Sequence, residues 1–227
     1  MRRRDLLKAA AAATFTVSVA PRLGRADRAK TLVFVGVADL SVLDPVITGA
    51  RPTRNAAYLM FDTLYGIDTE WKAQPQMVDG HTVEEDGLTW TLKLRDGLRF
   101  HDKEPVLARD VVASIRRFAP RVIFASALME ATDELSTPDD RTVRFRLKRP
   151  FPHLPGALAG PGGNVPAIMP ERLAAESPFK PVAEVIGSGP TASSRTSMSA
   201  APGRFLGDLR SINRGRAARS GSPPGQR

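Results

Sequence analysis

The 227-residue sequence contains no cysteine. That excludes disulfides, thiolate metal sites, a cysteine nucleophile and a lipidated N-terminal cysteine. Histidine is scarce. His81, His101 and His153 lie far apart, and none has a second histidine four residues on. His101-Asp102 sits beside a turn without clustered carboxylates, so it reads as structural rather than as a ligand or acid–base pair. Gly187-Ser188-Gly189 is not the Gly-x-Ser-x-Gly of a nucleophile elbow. Gly160 to Gly163 includes Pro161 and lacks the Lys-Ser/Thr of a phosphate loop. Glu84-Glu85-Asp86 is a surface charge run leading into a turn at Gly87. No catalytic residue, metal or cofactor is expected from these patterns.

Charge of one sign is missing from the body, although the whole chain carries a formal net charge of +9. Residues 1–26 hold six bases against Asp5, and residues 191–227 hold seven arginines against Asp208. The remaining 20 bases and 22 acids of residues 27–190 nearly cancel. Nucleic-acid binding by the body is therefore not expected, because it needs a clustered basic face.

Long hydrophobic runs are also missing. The Ala-rich run from Ala9 to Ala20 has about a dozen residues, where a membrane-spanning helix needs roughly 20. It follows a basic start and precedes Gly24-Arg25-Ala26, which is the grammar of a signal peptide cleaved after Ala26. Arg3, Arg4, Leu6, Leu7 and Lys8 resemble the twin-arginine export motif, with Leu6 where Phe is commoner. The resemblance implies a twin-arginine translocase as partner and export to the periplasm; without cysteine, the product is not a lipoprotein.

What is present is strand and helix periodicity. Thr31 to Val37 is a nearly continuous apolar run that predicts a buried strand. Asp39 to Pro45 predicts a turn region, with Asp44 extended before Pro45. Asn55 to Tyr65 fits a short helix. Trp90, Leu92 and Leu94 alternate with Thr91, Lys93 and Arg95; Asp96-Gly97 is a turn, and Leu98 to His101 starts a return. Val111, Val112, Ile115 and Phe118 recur at helical spacing up to Pro120. In that helix Asp110 opens the first turn, and Arg116 and Arg117 complement the dipole in the last. Val143, Phe145 and Leu147 alternate with Arg144, Arg146 and Lys148, which read as a solvated strand face. Phe151 to Pro170, rich in Pro and Gly, reads as irregular.

The run GLTWTLKLRDGLRFHDKEPVLARDVVASIRRF, residues 87–118, resembles the bacterial extracellular solute-binding proteins of family 5, which serve importers of peptides, oligopeptides and nickel. SVLDP (41–45), an aromatic-rich helix ending in FDTLYG (61–66), DDRTVRFRLKRPFP (139–152) and GSGP (187–190) fit the same family in order. Two positions depart from the pattern. Lys103 replaces a turn glycine, so a left-handed backbone there would cost about 1 kcal/mol. Leu107 stands where a capping Thr is common.

The resemblance implies an α/β periplasmic-binding-protein fold of type II. Its lobes close on a solute without covalent chemistry, and its partners are ABC transporter permease subunits and a small peptide or similar solute. Residues 27–50 would begin the first lobe, 51–175 would form an inserted α+β lobe, and 176–190 would return to the first. The second ligand-gripping lobe, which comes later in family sequences, would be absent. Asp39, Leu40 and Ser41, in the turn after the first strand, would line the cleft; an ordinary strand-to-loop connection is the alternative.

After Pro190 the chemistry changes to Ser, Arg, Ala, Gly and Pro with little to bury. Family members continue with an aromatic residue and an aromatic-bearing strand. One choice of codons for Thr191 to Ser199, read one base out of register, spells Arg-Phe-Val-Ala-Asp-Glu-Tyr-Val. Residues 191–227 are therefore expected to be an out-of-frame, disordered tail on a truncated, poorly binding protein. The alternative is a small periplasmic interaction module whose basic tail binds polyanions.

Overall fold

The computed structural model describes residues 37–160, 162–193 and 207–208. The export motif and almost all of the expected strand Thr31 to Val37 lie outside them. Helix α1 (Arg51–Met60) is followed by the short antiparallel pair β1 (Tyr65–Ile67) and β2 (Ala73–Pro75). Next come β3 (Val78–Glu84) and β4 (Thr89–Leu94), then α2 (Ala108–Phe118) and α3 (Ile123–Ala131). Strands β5 (Thr132–Asp139) and β6 (Thr142–Leu147) precede the short helices α4 (Leu154–Ala159) and α5 (Glu171–Ala174). Strand β7 (Ala192–Ser193) pairs with β8 (Gly207–Asp208).

The main sheet has the order β3-β4-β6-β5, antiparallel throughout. Its register sets Trp90 opposite Phe145 and Leu92 opposite Val143. Those residues, with Leu94 and Leu147, form one buried face, while Lys93, Arg144, Arg146 and Lys148 are exposed on the other. Alternation with a period of two makes this division. On the wet side Arg146 lies 2.8 Å from Asp133 and 3.2 Å from Glu134. Helix α2 supplies Ala108, Val111, Val112 and Ile115 to the sheet's core, and α4 adds Leu154, Ala157 and Leu158.

A second cluster draws on distant parts of the chain. It joins Leu43 and Val46, the inner face of α1 (Ala57, Met60), and Phe61, Val165, Ala167, Met169 and Leu173. Leu40, Val182, Val185 and Ile186 pack against it.

Several local expectations are corrected. The helix placed at Asn55 to Tyr65 runs from Arg51 to Met60. Pro52 fits its first turn, and Phe61 leaves the helical region at φ −122°. FDTLYG is therefore extended chain leading into β1, because its residues must reach the sheet core rather than stack as a helix. Leu98 to His101 does not return along β4, whose two edges are already occupied by β3 and β6. The stretch 151–170 contains α4, with Pro155 in its first turn. Strands β3 and β5 and helix α3 carry weak periodic signals and are additions to the sequence reading. Of the expected tail, Thr191 is buried and Ala192–Ser193 pair with Gly207–Asp208, while residues 194–206 and 209–227 lie outside the described residues.

The two departures from the family pattern appear as physics predicts. Lys103 sits at φ 75°, the left-handed conformation a glycine would take without strain. Leu107 caps α2 without a side-chain hydrogen bond, and Asp110 compensates by accepting the Leu107 N–H at 2.8 Å.

Candidate functional site

Asp39 and Ser41 are exposed, and Leu40 is half-buried against the second cluster. The turn region is fixed three residues later by Asp44, whose side chain is 1 % exposed. Its carboxylate receives both ends of the Arg117 guanidinium, Nη1 at 3.2 Å and Nη2 at 2.7 Å. It also accepts the backbone N–H groups of Val46 and Val182, each at 3.0 Å. Nη2 of Arg117, itself fully buried, donates further to the Lys180 carbonyl at 2.8 Å. A bidentate pair with this many hydrogen bonds can sit in a low-dielectric interior, where an unpaired charge cannot. One carboxylate thus joins the loop at 44–46, helix α2 and the segment at 180–182.

Arg117 is therefore not a surface complement to the helix dipole. It closes a polar stripe on α2 at positions 110, 114 and 117, one helical face by spacing. Asp110 accepts the Glu171 N–H at 2.8 Å in addition to that of Leu107. Ser114 Oγ donates to the Asp110 carbonyl at 2.7 Å and accepts the Met169 N–H at 3.1 Å.

The segment at 187–191 crosses the C-terminal end of α1. The Gly189 N–H donates to the Met60 carbonyl at 3.0 Å, and the Thr191 N–H and hydroxyl both donate to the Leu59 carbonyl, at 2.9 and 2.7 Å. These bonds satisfy helix-end carbonyls that otherwise lack partners. Only glycine fits: a Cβ on Gly187 would lie 2.1 Å from the Met60 oxygen, and one on Gly189 would lie 2.7 Å from the Met60 carbonyl carbon. His101 holds this segment from the other side. Its backbone N–H donates to the Gly187 carbonyl at 2.8 Å, and both ring nitrogens engage the same stretch.

An open groove of about 380 Å³ lies between Phe100, Leu107 and Pro170, with Asp102, Arg109 and Arg172 in its wall. Arg172 lies 3.1 Å from Asp102, and Arg109 lies 3.6 Å from Glu171, so the charges answer one another. Among the described residues no group of three or more acids or histidines is placed to hold a metal ion. His81 meets the Tyr65 hydroxyl at 3.0 Å and packs on Trp90, and burial pushes the Tyr65 phenol well above its ordinary pKa. His153 lies beside Phe124.

The structure thus brings the expected cleft turn, the α2 stripe and the GSGP crossing around one core. Asp44, Asp110, Ser114 and Arg117 were not singled out as a unit from the sequence. Their only signals were an Asp-Pro step and a three-four polar spacing on an otherwise apolar helix.

Residues 72–191, more than half of the chain, match the family described as bacterial extracellular solute-binding proteins, family 5 middle. A probable peptide ABC transporter periplasmic-binding protein of Sinorhizobium fredii is 44% identical over 192 residues, covering 83% of this chain and 35% of its own length. The glutathione-binding protein of Escherichia coli is 30% identical over 166 residues, covering 71% of this chain and 31% of its own. This chain therefore spans about a third of the length of these relatives. NikA of Brucella suis, in complex with Fe(III)-EDTA, superposes with a TM-score of 0.60 at 20% identity over 71% of this chain and 32% of its own. A periplasmic binding protein of Agrobacterium tumefaciens in complex with agropinic acid gives 0.56 at 25% identity over 68% and 31%. The fold is that of the type II periplasmic binding proteins, and the chain belongs to the bacterial extracellular solute-binding proteins of family 5.

Proposed function

We propose that this chain is part of a periplasmic substrate-binding protein that presents peptides or related solutes to an ABC importer. The observation that carries the reading is the 44% identity to a probable peptide-binding relative over 83% of the chain. Export by the twin-arginine translocase, on Arg3, Arg4, Leu6, Leu7 and Lys8, brings it to the periplasm. Its role is binding rather than covalent chemistry.

Within this reading the second cluster, from Leu40 to Phe61 and from Val165 to Ile186, is the first-lobe part of the chain. The sheet and its helices, from Leu64 to Ala159, are the inserted lobe, with Ile168 packed against them from the returning chain. The boundary then falls after Phe61 rather than at residue 51, because the buried face of α1 belongs with Leu43 and Val46. Asp39, Leu40 and Ser41 line the cleft, on an edge held firm by Asp44.

The 227 residues alone bind weakly, because one lobe leaves a solute exposed on its far side. The family match ends at residue 191, where the composition changes, and this supports a shifted reading frame beyond Pro190. Calorimetric titration of the chain with short peptides tests the binding reading: micromolar affinity would overturn weak binding. Resequencing the gene across codon 190 tests the frame. A long open alternative frame supports the reading, and early stops make the basic tail genuine.

A further inference from the structure

We infer that His101 is a positioning residue: as a neutral imidazole it clamps residues 187–189 and so seats the crossing chain on the end of α1, a hold that acid releases. A backbone N–H can only donate and a carbonyl can only accept. The Gly187 N–H reaches Nδ1 at 3.3 Å, and the Gly189 carbonyl meets Nε2 at 2.9 Å. Nδ1 is therefore the acceptor and Nε2 carries the hydrogen. The ring reads one donor and one acceptor two residues apart, which only one neutral tautomer can do.

Protonation places a hydrogen on Nδ1, facing the Gly187 N–H donor to donor. The gripped segment cannot re-seat easily, because both glycines lie against the α1 carbonyls without room for a Cβ. Losing the Nδ1 acceptor leaves Gly187 held to His101 by its carbonyl alone, and so loosens the stretch that delivers the Gly189 and Thr191 N–H groups to Met60 and Leu59.

The gripped stretch 187–189 holds no charged group. On the histidine's own loop, Asp102 pairs with Arg172 at 3.1 Å, and the Arg99 side chain donates to the Lys103 carbonyl at 2.8 Å. Arg172, on α5, also reaches Glu184 at 3.8 Å. Glu104 is exposed. The inference does not depend on which solute is bound.

The test is nitrogen NMR of the imidazole together with amide exchange on the 227-residue chain. The pH is lowered from about 7.5 until the ring reports the cation, and intrinsic exchange rates are corrected for pH. At the higher pH the ring hydrogen should sit on Nε2. On protonation the Gly187, Gly189 and Thr191 amides should lose about fivefold to tenfold in protection, while β4 and β6 amides hold theirs. His101→Gln can accept from Gly187 and donate to Gly189, so it should keep the protection and lose the acid response. His101→Ala should show the lowered protection at both pH values. A hydrogen on Nδ1, an unchanged crossing after protonation, a loss shared equally by the sheet, or an acid response persisting in His101→Gln would each overturn the inference. Should His101→Ala not fold, the wild-type ring and the glutamine variant decide.

Discussion

The sheet core and the second cluster share helix α2 and hold it by different means. Toward the sheet the helix presents Ala108, Val111, Val112 and Ile115, and the contact is apolar packing over an alternating strand surface. Toward the second cluster it presents Asp110, Ser114 and Arg117, and the contact is a set of directed bonds to Met169, Glu171, Asp44 and Lys180. Packing tolerates substitutions that preserve volume and is non-directional. A buried ion pair tolerates almost nothing done to one partner alone, but it can be replaced as a pair. The same helix thus carries an adaptable face and a keyed one.

The largest effects should come from breaking each face in its own way. Asp44→Asn or Arg117→Met leaves an uncompensated buried group and should cost about 3–5 kcal/mol in denaturant unfolding. Phe145→Ala, in the sheet core, should cost a similar amount, about 3–5 kcal/mol. The comparison lies in the rescue. Combining Asp44→Leu with Arg117→Met should recover the part of the loss due to an unpaired charge, though not the bonds to Val46, Val182 and Lys180, whereas Phe145→Ala should respond only to restored volume. If the double variant is no more stable than Arg117→Met alone, the keyed reading of this face is wrong.

Gly187→Ala should come next. It drives a methyl into the Met60 carbonyl and should cost about 1–3 kcal/mol as the crossing lifts. Loss of Thr191 amide protection would mark the site of damage. Asp110→Ala, which strands the Leu107 and Glu171 N–H groups, should cost about 1–2 kcal/mol. Lys103→Gly acts the other way and should add up to about 1 kcal/mol by removing left-handed strain.

The smallest effect should lie in the turn between β1 and β2. There the Lys72 N–H first, then the Gln74 side chain, hold the exposed Asp68 carboxyl below its ordinary pKa. A carboxyl lowered in the folded state stabilises it above the unfolded value, about 3.9, and that contribution fades as pH falls further. Asp68→Asn should therefore flatten the stability profile slightly below about pH 4, and an unchanged acid limb would remove Asp68 from the account.

The sheet half was legible from the sequence because its information is local. Trp90, Leu92 and Leu94 declare a face by alternation, as do Val143, Phe145 and Leu147, and Asp96-Gly97 marks the turn, with Gly97 at φ 74°. The α2 core face was legible for the same reason. The second cluster was not, because Asp44 and Arg117 are separated by 73 residues and nothing local distinguishes a buried arginine from a helix-terminal one. FDTLYG misled because its aromatic spacing suits a helix, whereas Leu64 and Tyr65 are drawn to the sheet core. In the turn region from Asp39 to Pro45 the sequence did not show the anchor, Asp44, which lies three residues beyond Ser41.

The Asp44 carboxylate also has a consequence in time. Its partners stand 73 and 138 residues downstream, at Arg117 and Val182, so it closes some of the chain's longest loops. Contacts at such separation form late, because loop-closure entropy is spent before they return anything. During synthesis Asp44 and Arg117 are made well before residue 182. Until then Asp44 and Arg117 lack their full set of bonds, and Leu43, Val46 and Met60 lack part of their cover. The second cluster is thus completed only when residue 182 arrives, which makes it the part of the chain that closes last.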